Sequence, residues 1–142
     1  MKLNGYEFRE RIKTLGFSGD LDKRQIILYD YNYQTVSDAM WAEGMDKFRA
    51  TLNAWNAREW REQFDCENRA MLLLEALAAS DREERAAAAI MVSILVGNGS
   101  YSHAIVMILN GDNKWCVFDQ GRDEWLNLED VTIDTTAQAI AI

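Results

Sequence analysis

Apolar positions recur every three or four residues in two stretches of the first half of the chain, which is the spacing of one face of an α-helix. Residues 6–15 form the first stretch, with Asn4 as its cap. Residues 37–54 form the second, with Ser37 as its cap. The apolar positions of these two predicted helices are Phe8, Ile12, Leu15, Met40, Trp41, Met45, Phe48 and Leu52.

Two further helices are predicted from capping residues. Asp65 is a favoured N-cap, and residues 70–79 after it are rich in alanine and leucine. The segment Ser80-Asp81-Arg82-Glu83 matches a capping box, which predicts a helix over residues 81–89. The apolar run at residues 90–96 either continues that helix or forms a buried strand, and we favour the helix.

The last third of the chain has the pattern of β-strands. Residues 103–109 and 114–119 flank the turn segment Asn110-Gly111-Asp112-Asn113, which predicts a β-hairpin. A short strand is predicted at residues 124–128, and the alternating tail at residues 131–142 predicts an edge strand.

The order of these elements predicts the fold class. Residues 25–36 are rich in β-branched and aromatic side chains and indicate extended structure, but most helices precede most strands. Helices followed by antiparallel strands are typical of an α+β domain, and 142 residues suit one domain. We predict a single α+β domain over residues 1–142, with N-terminal helices packed on a small antiparallel sheet.

Charge and hydropathy exclude several classes of function. The chain has 15 basic and 23 acidic residues and a net charge of -8, which repels nucleic-acid phosphates and anionic lipid surfaces. No run approaches the roughly 18 apolar residues of a membrane span, and the first residues lack the apolar segment of a signal peptide. We therefore expect a cytoplasmic protein that binds neither nucleic acid nor membrane directly.

The sequence contains few histidine and cysteine side chains that could bind a metal ion. Two cysteines in a domain of this size are free thiols by default, and with one histidine they lack the spacing of a zinc site. The acidic residues around Glu124 and Asp130 do not follow a calcium-loop pattern. We expect no metal and no cofactor.

Cys66, His103 and Asp119 are the candidate reactive residues. Cys66 follows Asp65 at a predicted helix start, where unpaired N–H groups stabilise a thiolate. His103 begins one strand of the predicted hairpin and Asp119 ends the other, so both lie near the same end of the sheet. An imidazole there can accept the thiol proton, and a carboxylate can orient the imidazole.

Two glutamines are candidate oxyanion donors, and the cysteine and the aspartate also have simpler structural interpretations. Gln63, three residues before Cys66, is the nearest candidate donor to an oxyanion or substrate, and Gln120 is the alternative. A free cysteine is commonly a buried apolar residue, and an aspartate before Gly121 commonly serves a turn. The case for a reactive site therefore depends on the three residues occurring together.

Three segments resemble those of papain-like and transglutaminase-like cysteine hydrolases. The closest similarity is to the C-terminal cysteine-protease domain of fungal agglutinins, a group known also from bacterial and phage proteins. The resemblance implies a papain-like domain with Cys66, His103 and Asp119 as its catalytic residues. The segments are Asp65-Cys66-Glu67-Asn68-Arg69-Ala70, Ser102-His103-Ala104-Ile105-Val106 and Phe118-Asp119-Gln120.

Three classes of function follow as expectations. The first is a cysteine-dependent hydrolase or acyl transferase that acts on peptide or side-chain amide bonds, with a protein or peptide as its substrate. The alternative is a non-catalytic acidic binding or inhibitor protein of phage or mobile-element origin, with a host protein as its partner. A structural or accessory subunit is a third interpretation.

Overall fold

The fold is that of a computed structural model, which describes residues 1–55, 66–79, 85–97, 99 and 101–142. Its α-helices are α1 (Gly5–Lys13), α2 (Asp38–Ala54) and α3 (Cys66–Ala78), with short 3₁₀ helices at Leu21–Lys23 and Leu128–Asp130. Its strands are β1 (Lys2–Asn4), β2 (Ile26–Leu28), β3 (Asn32–Gln34), β4 (Ala86–Ala87), β5 (Ala89–Val96), β6 (Tyr101–Leu109), β7 (Trp115–Asp119), β8 (Glu124–Leu126), β9 (Thr132–Ile133) and β10 (Ala139–Ala141).

A seven-stranded sheet forms the centre of the described structure. Its order is β2-β10-β5-β6-β7-β8, with β9 paired to β5. The pair β2 and β10 is parallel, whereas the pairs from β10 to β8 are antiparallel. A second sheet of three strands has the order β1-β3-β4. The strands thus form the framework on which the helices pack.

Strand β6 separates the two halves of the core. Successive side chains of a strand point to opposite faces, and both faces of β6 are covered, so its sequence is a continuous apolar run. The side chains that pack with α2 and α3 are Ala104, Val106 and Ile108, and those that pack with α1 are Ile105, Met107 and Leu109.

The predicted caps of the first two helices are confirmed. The Asn4 side chain accepts a hydrogen bond of 2.8 Å from the N–H of Glu7, whose own carboxylate accepts from the Asn4 N–H. The Ser37 hydroxyl accepts a bond of 3.2 Å from the N–H of Met40. Both caps are local interactions, which explains why the sequence pattern was sufficient to predict them.

The predicted helix over residues 81–89 is wrong in its described part. Residues 86–87 form β4, and β5 begins at Ala89, so the apolar run at 90–96 is a strand as well. Alanine favours helices, but these alanines are buried, and the N–H of Ala88 donates to the Gln34 carbonyl at 2.7 Å. Pairing with distant strands therefore outweighs the helix propensity of these alanines. The capping-box segment lies outside the described residues.

The predicted arrangement of helices on a small antiparallel sheet is also wrong. The sheet is large and mixed, and the predicted edge strand of the tail, β10, lies inside it between β2 and β5. Ala139 and Ala141 are completely buried there, because their small side chains let neighbouring elements approach the strand. Among the helices of the described residues, none is long and apolar enough to cross a membrane.

Gly44 is where α2 and α3 pack most tightly, which gives a test of the fold. A Cβ at Gly44 would lie 2.6 Å from Cδ2 of Leu77, which is completely buried. Replacing a glycine with alanine within a helix usually raises the free energy of unfolding by up to about 1 kcal/mol. We expect Gly44→Ala to lower the free energy of unfolding in urea by about 1–3 kcal/mol instead, through overpacking.

The matched control is Gly111→Ala in the β6–β7 turn, where no atom lies within 4 Å of the added Cβ. That variant should stay within about 0.5 kcal/mol of the wild type. A Gly44→Ala protein as stable as the wild type would show that α2 and α3 do not pack in this way.

Candidate functional site

The pairing of β6 with β7 brings His103 and Asp119 to the same face of the sheet. Val106 lies opposite Phe118 and Met107 opposite Val117. Asp119 therefore shares the face of Val117, and His103 shares the face of Met107, because alternate residues of a strand point the same way. The sequence predicted the hairpin but not this register. His103 Nε2 and Asp119 Oδ1 are 3.1 Å apart.

The Asp119 carboxylate is buried and well supplied with donors. Its Oδ1 also accepts from the backbone N–H groups of Gly121 at 2.9 Å and Arg122 at 3.3 Å. Burial by itself raises the pKa of Asp119, but the hydrogen bond and charge of His103 and the two N–H groups outweigh it. The pKa of Asp119 therefore lies below its ordinary value, and the residue is a carboxylate at neutral pH.

An ionised Asp119 determines the tautomer of neutral His103. Nε2 then carries the proton and donates a hydrogen bond to the carboxylate, and Nδ1 is the unprotonated nitrogen. Within the described part of the chain, Nδ1 has no hydrogen-bond partner. Among the described residues, Nδ1 of neutral His103 is therefore available as an acceptor, while Asp119 holds the ring.

Gln120 connects this end of the sheet to the start of α3. Its amide Nε2 donates to the carbonyl of Cys66 at 3.1 Å and to the carbonyl of Ala104 at 2.7 Å. Ala104 follows His103 in β6, so one buried side chain attaches the first turn of α3 to the strand that carries the imidazole. Cys66 itself is half-buried and packs with the apolar side chains beneath α2 and α3.

A cleft of about 550 Å³ opens in front of the His103–Asp119 pair. Its apolar wall comes from the ends of β5 and β8 and from the 3₁₀ helix region, through Ile94, Val96, Leu126 and Val131. Its polar lining consists of His103, Asp119, Arg122, Glu124, Asn127 and Asp130. Cys66 is not part of this lining.

Aromatic packing against α2 and β7 holds strand β8 in place. Trp125 lies across from Phe118 in the neighbouring strand, with ring centroids 5.1 Å apart, and its centroid is 4.6 Å from that of Trp41 in α2. The turn before β8 is tied to the same helix, because Arg49 lies 3.0 Å from Asp123. These contacts fix β8 and thereby the outer wall of the cleft.

The predicted site residues fall into three groups, which are the His103–Asp119 pair, Cys66 with Gln120, and Gln63. His103 and Asp119 form the predicted pair, whereas Cys66 is linked to them through Gln120. Both amide hydrogens of Gln120 bind carbonyl groups, so it serves as a structural link. Gln63 lies outside the described residues.

Sequence reasoning missed most of the polar lining of the cleft. The sequence pattern raises Glu124 and Asp130 only as calcium ligands and predicts no role for Arg122 and Asn127. Their only sequence signal is a polar turn after each of two short strands, which is common at protein surfaces. In the described ranges, no group of three or more histidine, cysteine, aspartate or glutamate side chains is placed to hold a metal ion.

Comparisons with known proteins give a fold but no family. No family model matches the chain, and no curated protein matches it. A solved structure described as a PSL1a–E64 complex aligns with a TM-score of 0.69 and 16% identity, covering 98% of this chain and 51% of that chain. A structure of Polyporus squamosus lectin bound to a human-type influenza-binding epitope aligns with a TM-score of 0.68 and 15% identity, covering 98% and 49%.

These findings correct the expected family and function. The chain shares its fold with about half of a lectin chain, and the similarity at this identity shows the fold alone. The assignment to papain-like or transglutaminase-like cysteine hydrolases is wrong by this comparison, and so is the expected peptide or amide substrate. Short motifs around Cys66, His103 and Asp119 were its basis, and such motifs do not define a fold.

The pKa of Asp119 predicts how stability depends on pH. A carboxylate whose pKa is lower in the folded state stabilises the fold above the unfolded pKa, near about 4, and the stabilisation is lost as pH falls through the folded pKa. Asp119→Asn should therefore reduce the free energy of unfolding by about 1–3 kcal/mol at pH 7.

Urea unfolding of the two proteins from pH 7 to pH 3 measures this difference, which should narrow below about pH 4. Asp112→Asn is the control, since Asp112 is exposed in the β6–β7 turn, and the stability of this variant should stay close to that of the wild type over this pH range. A difference that stays constant with pH would show that Asp119 is not the stabilising carboxylate.

The two carbonyl groups bound by Gln120 allow a second test. Gln120→Ala leaves both carbonyls without this donor, and an unpaired buried group costs about 1–3 kcal/mol. We expect a loss of stability in that range and faster hydrogen exchange at the start of α3. Gln138→Ala, which removes one exposed bond to the Arg24 carbonyl, should change neither property appreciably. Unchanged exchange in α3 after Gln120→Ala would refute the link.

Proposed function

We propose that this domain is a non-catalytic ligand-binding domain and that the cleft in front of His103 and Asp119 binds a glycan. The observation that carries the proposal is the division of the cleft into an apolar wall and a polar lining. Binding sites for small molecules commonly combine apolar walls with a few fixed polar groups.

The chemistry of a sugar ring complements both parts of this cleft. Its C–H groups can pack against Ile94 and Leu126, and its hydroxyl groups can donate to carboxylates or accept from the Asn127 amide. His103 also lines the cleft, and Asp119 fixes the orientation of its ring. Polar groups that are fixed before binding lose less entropy when the ligand arrives.

The lectin structures support this ligand class in a limited way. They share the fold over nearly the whole of this chain, and one of them holds a glycan epitope. The chain spans about half the length of those lectin chains, so glycan binding does not come to it with the fold. The proposal therefore depends on the cleft itself.

The predicted site residues have different roles in this proposal. His103 and Asp119 contact or orient the ligand, and Gln120 holds the adjoining strand and helix in place. Cys66 begins α3 and contributes no ligand contact, because it lies outside the cleft lining. A protein partner stays a prediction that the cleft does not address.

Binding to a panel of oligosaccharides, measured by calorimetry, tests the proposal. Asn127→Ala should weaken binding by a few-fold to about tenfold, which corresponds to the loss of one hydrogen bond. Asn32→Ala is the matched control, since Asn32 lines a separate cavity beside α1, and Cys66→Ala should bind like the wild type.

Three results would contradict the proposal. The first is an absence of binding to every saccharide, and the second is weaker binding by Asn32→Ala than by Asn127→Ala. The third is turnover of a bound compound that Cys66→Ala abolishes, because a non-catalytic domain releases its ligand unchanged.

A further inference from the structure

The cleft contains more negative than positive charge. Its lining includes the carboxylates of Asp119, Glu124 and Asp130 but only the guanidinium of Arg122, which leaves an excess of two negative charges when His103 is neutral. The whole chain adds to this potential through its net charge of -8. An anion that enters the cleft therefore meets repulsion both nearby and at longer range.

Two carboxylates lie beside the guanidinium of Arg122 and offset its charge. Its Nε lies 3.9 Å from Asp119 Oδ2, and its NH1 group lies 4.0 Å from Glu124 Oε1. Glu124 is opposite Asp119 in the β7–β8 pairing, so the guanidinium is placed between two carboxylates that the sheet holds together. An anion that approaches Arg122 therefore also approaches Asp119 and Glu124, which repel it.

The polar lining is best suited to hydrogen-bond donors from the ligand. Carboxylate oxygens and the unprotonated Nδ1 of His103 accept hydrogen bonds, and ionised carboxylates cannot donate them. Hydroxyl groups can supply these donors, whereas a ligand carboxylate supplies only acceptors. The requirements of charge and of hydrogen bonding therefore point to the same kind of ligand.

We infer that the cleft selects uncharged sugars and excludes sugars that carry a carboxylate. The inference rests on the proposed function and specifies its ligand class. Asp119, Glu124 and Asp130 act together as the selecting groups, while the apolar wall packs against the ring of either kind of sugar.

The test uses neutral oligosaccharides, each paired with its terminally sialylated form, and measures both dissociation constants by calorimetry in low salt. We expect the neutral member to bind at least about tenfold more tightly, a difference of about 1.4 kcal/mol. Raising the ionic strength should reduce the ratio, because salt screens charges in an open cleft.

Charge-removing variants identify the groups that cause the selection. Glu124→Gln combined with Asp130→Asn should bring the ratio to within about threefold, mainly by strengthening binding of the sialylated form, since about 0.7 kcal/mol of preference then remains. Asp112→Asn in the distant β6–β7 turn removes one negative charge from outside the lining and should leave the ratio unchanged.

The outcomes separate this inference from the proposed function. If sialylated sugars bind as tightly as neutral ones or more tightly, the charge selection is wrong although the cleft binds glycans. If no oligosaccharide of either kind binds, the proposed function fails and the inference fails with it. A preference that the double variant retains in full would show that these carboxylates do not cause it.

Discussion

The register between β6 and β7 is the constraint on which the candidate site depends. Val106 opposite Phe118 places His103 and Asp119 on one face, and a shift of one residue would point Asp119 to the other side of the sheet. The core is built around this register, because both faces of β6 are buried and Val117 and Phe118 of β7 lie in opposite halves of the core. The apolar core therefore positions the polar pair.

The outer strand β8 is held by aromatic packing and borders the cleft along its length. Trp125 packs against Trp41 and Phe118 on the helix side, and it lines the cleft together with Glu124 and Leu126. Aromatic packing is strong enough to hold a three-residue edge strand that could not be stable alone. Aromatic packing thus fixes this wall of the cleft.

Local signals in the sequence predicted the first two helix starts and the hairpin, since a cap such as Ser37 or a turn such as Asn110-Gly111 acts over a few residues. The strands at residues 86–96 and the interior position of β10 depend on partners far along the chain, which alanine propensity and tail position do not reveal. The cleft was missed for the same reason, because its walls come from separate strands.

A ligand that occupies the cleft lies at the His103–Asp119 end of the sheet. His103 is the single histidine, so its imidazole nitrogens give an unambiguous signal in ¹⁵N magnetic resonance. We predict that the free protein shows a proton on Nε2 and that adding a bound neutral oligosaccharide shifts the Nδ1 resonance. Imidazole signals that do not change while the sugar binds, with shifts confined to the cavity near Tyr6 and Tyr31, would contradict the account.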